Sequence, residues 1–109
     1  MPWDPVRKNG PLQARERSAD MARQLIFTDQ AWLEYLYWQQ TDRKMLQRLN
    51  GLIAVVKRTP FTGIGKPEPL RGNWSGAWSR RIDDTHRLVY EVRDDDIVVL
   101  QCRYHYGSR

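Results

Sequence analysis

Trp78-Ser-Arg-Arg-Ile-Asp-Asp-Thr-His-Arg-Leu-Val-Tyr-Glu-Val-Arg-Asp-Asp-Asp-Ile-Val-Val-Leu-Gln-Cys-Arg-Tyr104 is the stretch that decides the fold. It reads as three strands, Trp78–Asp83, Leu88–Arg93 and Ile97–Tyr104, separated by turns at Asp83–His86 and Asp94–Asp96. Valine, isoleucine and leucine dominate the last two strands, as pleated, half-buried surfaces favour. Strands joined by turns this short pair antiparallel. The central feature is therefore an antiparallel meander at the C-terminal end of the chain.

Upstream of the meander the period changes. Met45, Leu46, Leu49, Leu52, Ile53 and Val56 recur at helical spacing and form one apolar seam. Thr41-Asp42 supplies its N-terminal signal, Thr59-Pro60 ends it, and Gly51 is a weak spot inside it. An earlier helix is predicted over Ala31–Gln40, with Thr28 and Asp29 as cap candidates. Trp32, Tyr35, Leu36 and Trp38 are expected on its apolar face, as core rather than as a stacking platform for bases. Arg23–Phe27 reads as a short first strand. The expected fold is α+β: an antiparallel sheet of about four strands with two N-terminal helices packed on one face.

Residues 1–20 contain Pro2, Pro5, Pro11 and Gly10 and show no apolar periodicity. They read as a flexible N-terminal extension, and residues 21–109 as a single domain. Cys102 is the sole cysteine, so an intrachain disulfide is excluded and a reducing compartment is expected. No apolar run approaches the ~20 residues that span a bilayer, and Met-Pro-Trp-Asp-Pro lacks the apolar core of a secretory signal. A cytoplasmic protein without a membrane partner is the expectation.

The formal charge is +5, with a sequence pI near 9.7. Residues 57–87 carry seven bases against three acids, a net +4, so the positive field is concentrated there. The loop from Thr59 to Gly76 holds four glycines and three prolines. Loops this long in a small domain are usually functional or disordered, and the fixed prolines argue against simple disorder. Within it Glu68 sits between Pro67 and Pro69, which stiffen the backbone on both sides. Lys66, Arg71, Arg80 and Arg81 surround it in sequence, interleaved with Trp74 and Trp78. Arginine forks match phosphates and aromatic faces stack on bases, so Lys66, Arg71, Arg80 and Trp78 are candidate RNA contacts. A basic loop followed by a hairpin, with no chemistry, is the plainer reading.

One cysteine and two histidines, His86 and His105, match no structural zinc spacing. Asp94-Asp95-Asp96 fits a solvated turn better than a cation site. There is no phosphate-binding glycine motif and no nucleophile elbow. Acid–base chemistry on RNA fits what is left. RNA carries its own nucleophile, the 2′-hydroxyl. Cleavage then needs a base for that proton, cations for the charged phosphorane and an acid for the leaving 5′-oxygen. Glu68 is the candidate base. Arg81 and Arg87 are candidates to hold the phosphate, assisted by Lys66 and Arg71. His105 is the candidate acid, since histidine titrates near neutral pH; a surface histidine near a chain end is the alternative. Tyr106 is a candidate to stack on a base or position the phosphate. In an ideal strand His105 and Tyr106 point to opposite faces. They converge only where the chain leaves strand geometry.

Arg80-Arg-Ile-Asp-Asp-Thr-His-Arg-Leu-Val-Tyr90, preceded by Arg58-Thr-Pro-Phe-Thr-Gly-Ile-Gly-Lys-Pro-Glu-Pro-Leu70 and closed by Cys102-Arg-Tyr-His-Tyr106, resembles the YoeB (Txe) toxins of the RelE superfamily. Tyr35-Leu-Tyr-Trp-Gln39 fits as well, and the resemblance runs from about Gln24 to Tyr106. It implies a compact microbial-RNase-like α+β fold. The implied activity is ribosome-dependent mRNA endonuclease, without a cofactor, neutralised by an antitoxin of the YefM/Phd type. Such proteins are often dimeric. The resemblance also implies Glu68 as general base and His105 as general acid. Arg81 and Arg87 would stabilise the phosphate and Tyr106 would position the substrate. Arg71 stands where the family usually has lysine. Two departures are Gly107-Ser108-Arg109, beyond the tyrosine at which the family typically ends, and residues 1–20. The competing expectation is a non-catalytic basic module that binds RNA, the ribosome or an antitoxin.

Overall fold

A computed structural model describes residues 23–105. The expected extension at 1–20, Tyr106 and the final three residues lie outside the described residues. Thr28 begins the helical part. Its Oγ1 accepts from the Ala31 N–H at 3.1 Å and starts α1, Asp29–Thr41. Asp42 serves two helices at once. Its own N–H donates to the Trp38 carbonyl at 3.0 Å and closes α1. Its carboxylate accepts from Met45 N at 3.1 Å and opens α2, Arg43–Arg58. A side-chain oxygen at this position satisfies an N–H that the first helical turn leaves orphaned.

α2 buries Met45, Leu49, Leu52, Ile53 and Val56, as the seam predicts. α1 departs from expectation. It buries Ala31, Glu34 and Trp38, whereas Trp32 is 47% exposed and stacks on Tyr35 at 5.6 Å. The reason is geometric: Trp32 lies at the periphery beside Phe27 of the first strand, at 5.7 Å between rings, outside the main core. Glu34 is buried because its carboxylate accepts from the Cys102 N–H at 2.8 Å and from Gln30 Nε2 at 3.0 Å.

Among the described residues the sheet has five strands, not four. They are β1 (Gln24–Phe27), β2 (Glu68–Pro69), β3 (Ala77–Arg81), β4 (Arg87–Arg93) and β5 (Asp96–Gln101), in the order β1-β5-β4-β3-β2. The extra strand, β2, lies within the predicted loop, which also contains a single 3₁₀ turn at Gly72–Trp74. Pro67 precedes β2 and Pro69 is its second residue; neither can donate a ladder bond, which confines such a segment to a sheet edge. The sheet is also mixed rather than wholly antiparallel, because β1 runs parallel to β5. A helical crossover frees a strand from the antiparallel pairing that a tight turn imposes. β1 is tied in by Gln24 N–H to Asp95 O at 2.9 Å and Thr28 N–H to Val99 O at 3.0 Å.

Both helices cover one face of the sheet. Leu88, Tyr90, Ile97 and Val99 meet Leu49, Leu52, Ile53 and Val56 there. On the opposite face only Leu70, Ala77 and Val89 form a small buried cluster. Neither helix covers that face, on which Ser79 and Arg87 are nonetheless buried. No described helix is long and apolar enough to cross a membrane.

Candidate active site

The face that the helices leave uncovered acquires its functional groups through strand register. Glu68 of β2 pairs with Ser79 of β3, and Ser79 pairs with Val89 of β4. Arg81 pairs with Arg87 one row further along the same face. Paired positions in a ladder place side chains next to one another, so the register alone sets a carboxylate beside a hydroxyl and two guanidinium groups together. A cavity of about 240 Å³ results, lined by Lys66, Glu68, Ser79, Arg81, Arg87 and His105. A broader depression of about 480 Å³ is lined by Glu68, Pro69, Leu70 and Arg71.

Three local devices deliver these residues. The first carries Lys66 and Glu68. Gly65 packs against β3, its carbonyl accepting from Arg81 N at 2.7 Å. Its φ is +85°, and an added Cβ would lie 2.9 Å from Leu52 Cδ2, so glycine is required. The second is the β3–β4 turn. The Asp83 carboxylate accepts from the backbone N–H groups of Thr85 at 2.8 Å and His86 at 2.7 Å. Partial burial works to raise the Asp83 pKa, but these hydrogen bonds and the neighbouring positive charge outweigh it and hold the carboxyl below its usual value. Arg87 is 8% exposed, and its Nη1 donates to Asp83 O at 2.8 Å and His86 O at 3.1 Å, which aims the guanidinium.

The third device brings in His105. β5 stops at Gln101, earlier than the sequence suggests, and Tyr104 adopts φ +67°. The Tyr104 carbonyl accepts from Arg87 N at 2.9 Å and from Gln101 Nε2 at 3.0 Å. The Tyr104 N–H donates to His86 Nδ1 at 2.8 Å. The chain thus leaves strand geometry immediately before His105, the condition the strand argument required.

Two expected RNA contacts fall elsewhere. Arg80 is fully buried on the helix-covered face, one residue out of phase with Arg81. Its guanidinium donates to Tyr90 Oη at 3.1 Å and to the carbonyls of Ile64, Thr59 and Thr62 at 3.0, 2.6 and 2.8 Å. It is therefore the anchor of the loop, and the expectation that it meets RNA is corrected. Burial pushes the Tyr90 hydroxyl pKa up, with Arg80 opposing part of that shift. Trp78 also faces the helix side, packing on Phe61 at 4.9 Å between rings and against the core, so it does not join the cavity. Ser79 and His86 were missed. Ser79 was legible in principle, two residues before Arg81 and hence on its face. His86 carried no sequence signal, because its partner is a backbone N–H brought close only by folding.

This arrangement can take a proton from a hydroxyl, surround a phosphate with cations and return a proton from an imidazole. A family model for the YoeB-like toxin of bacterial type II toxin–antitoxin systems matches residues 27–106. Toxin YoeB of Streptomyces coelicolor is 57% identical over 82 residues, which is 75% of this chain and 98% of that protein. The YoeB dimer of Staphylococcus aureus superimposes with a TM-score of 0.72 at 44% identity, covering 78% of this chain and 99% of that one. YoeB in the heterotetrameric YoeB–YefM toxin–antitoxin complex of the same organism gives 0.71 at 45% identity, covering 77% and 98%. Motif order, fold and these matches agree: the chain belongs to the family of YoeB-like toxins of bacterial type II toxin–antitoxin systems.

Proposed function

We propose that this toxin is an endoribonuclease that cuts mRNA on the ribosome and so inhibits translation. The observation that supports it is the convergence of one carboxylate, two arginines, a lysine and an imidazole on a single cavity. A surface that only bound RNA would gain nothing from Glu68 there, since like charge repels the phosphate backbone. In the proposed reaction Glu68 takes the 2′-hydroxyl proton. The 2′-oxygen attacks the adjacent phosphorus, and Arg81 and Arg87 stabilise the charge that builds on the phosphoryl oxygens. His105 gives a proton to the departing 5′-oxygen, leaving a cyclic phosphate. Proton transfer and electrostatics account for each step, with no cofactor required. Lys66 and Arg71 hold the flanking backbone, and Tyr106, which follows His105 in the chain, positions the substrate.

A small open cavity holds flexible mRNA poorly, and orientation is worth ~7–11 kcal/mol of barrier. The ribosome supplies a fixed mRNA path, which is the basis for proposing it as a partner. A YefM/Phd-type antitoxin is the proposed inhibitor, covering the basic face with acidic residues. Homodimer formation and a cytoplasmic location are part of the same proposal.

Single-turnover cleavage of ribosome-bound mRNA tests it. Glu68→Gln keeps size and removes the base, so cleavage should fall ~10²–10⁴-fold while ribosome affinity holds or rises. Wild-type cleavage by Glu68→Gln would remove the base assignment. A wild-type protein that binds ribosomes without cutting would leave only the binding module.

A further inference from the structure

His86 lies outside the cavity, yet among the described residues it is the side chain that holds the N–H of the residue preceding His105. We propose that His86 is a positioning residue. By accepting the Tyr104 N–H at Nδ1 it maintains the left-handed turn that delivers the His105 imidazole to the cavity. The inference rests on the reading of His105 as general acid.

Tyr104 has φ +67°, a conformation that bulky side chains avoid unless their surroundings impose it. Its carbonyl is held by Arg87 N and Gln101 Nε2, and its N–H by His86 Nδ1. His86 is itself fixed on several sides. Its N–H donates to Asp83 Oδ1 at 2.7 Å, and its carbonyl accepts from Ile82 N at 2.9 Å. The ring stands edge-on to Trp38, with 4.8 Å between centroids. Trp38 in turn donates from Nε1 to the Cys102 carbonyl at 2.8 Å. One tryptophan therefore braces both the imidazole and the start of the segment that the imidazole holds. Accepting at Nδ1 requires that nitrogen to be unprotonated, which places the ring proton of a neutral His86 on Nε2. The β3–β4 turn, which also aims Arg87, and the C-terminal turn are thereby locked together.

Three substitutions in the full-length toxin separate this role from general damage. His86→Phe keeps a ring against Trp38 and removes the acceptor. His86→Asn offers an amide oxygen near the Nδ1 position, and His86→Gln offers one further out. The readouts are Tyr104 amide hydrogen exchange and single-turnover cleavage on ribosomes. Two mRNAs are used, one ordinary and one with a bridging 5′-sulfur, a leaving group that needs little protonation. His86→Phe should expose the Tyr104 amide and slow ordinary cleavage about tenfold or more. The sulfur substrate should recover most of that loss. His86→Asn should restore both readouts. In a His86→Phe/His105→Ala double variant the first change should add less than about twofold to the second, as expected for residues acting as a unit.

The proposal is overturned if Tyr104 exchange is unchanged in His86→Phe, if both substrates slow equally, or if the two substitutions multiply. Should His86→Phe not fold, His86→Asn must outperform His86→Gln in both readouts, and equality overturns the proposal. If His105→Ala itself shows no sulfur rescue while exchange follows the pattern above, the acid assignment fails and the clamp stands.

Discussion

Arg80 and Arg81 are neighbours in sequence with opposite fates. Strand alternation sends Arg81 to the cavity and Arg80 into the core. A buried guanidinium is tolerated only when its donors are satisfied. Arg80 achieves this with Tyr90 and three loop carbonyls. Lysine offers three donors from one point and cannot span that set. Arg80→Lys is therefore expected to lower unfolding free energy by about 2–4 kcal/mol, as lost bonds to a charged group and newly unpaired carbonyls imply. Urea unfolding measures this directly. Cleavage per folded molecule should change little at temperatures where the variant remains folded. Unaltered stability with weakened ribosome binding would instead return Arg80 to the RNA surface.

At the scale of elements, two glycines make opposite predictions. Gly51 lies in the middle of α2, exposed, and a Cβ added there would meet nothing within 4 Å. Gly51→Ala should stabilise the protein by about 0.5–1 kcal/mol through helix propensity alone, without altering cleavage. Gly65 must keep its positive φ and its close approach to Leu52. Gly65→Ala should destabilise the fold and displace Lys66 and Glu68, so that activity falls even in the folded fraction. Denaturant melts combined with single-turnover rates distinguish the two cases. A neutral Gly65→Ala would contradict the packing described for this loop. β2 is equally dependent on context: Glu68 and Pro69 become a strand only because β3 offers a free edge.

Across the whole molecule the charge is the property most open to test. Residues 57–87 carry a net +4, and Arg80 spends its charge inside the core, leaving Lys66, Arg71, Arg81 and Arg87 at or beside the two depressions. Each phosphate neutralised on a single strand releases counterions and contributes about −0.7 to the slope of log K against log salt. Binding of a short 2′-deoxy-blocked oligoribonucleotide should weaken steeply with potassium chloride. Lys66→Ala or Arg71→Ala should each flatten the slope by about 0.7. A slope untouched by either change would remove those residues from the proposed RNA path.

The helices, the meander and the chemical inventory were readable from local pattern in the chain. Helical spacing in Met45–Val56, cap oxygens at Thr28 and Asp42, and β-rich runs between turns are local properties that survive into the fold. Glu68, Arg81, Arg87 and His105 were candidates from residue type and from the family resemblance, and all four line one cavity. Tertiary structure alone decided where they go. Phase along β3 separated Arg80 from Arg81, and Trp78 from Ser79. The direction of β1 depended on its crossover, and the existence of β2 on a vacant edge. The turn at Tyr104 depended on hydrogen bonds donated by Arg87 and Gln101 and one accepted by His86, at 17, 3 and 18 positions away in the chain. Such contacts form between residues whose separation carries no period, so no local pattern announces them.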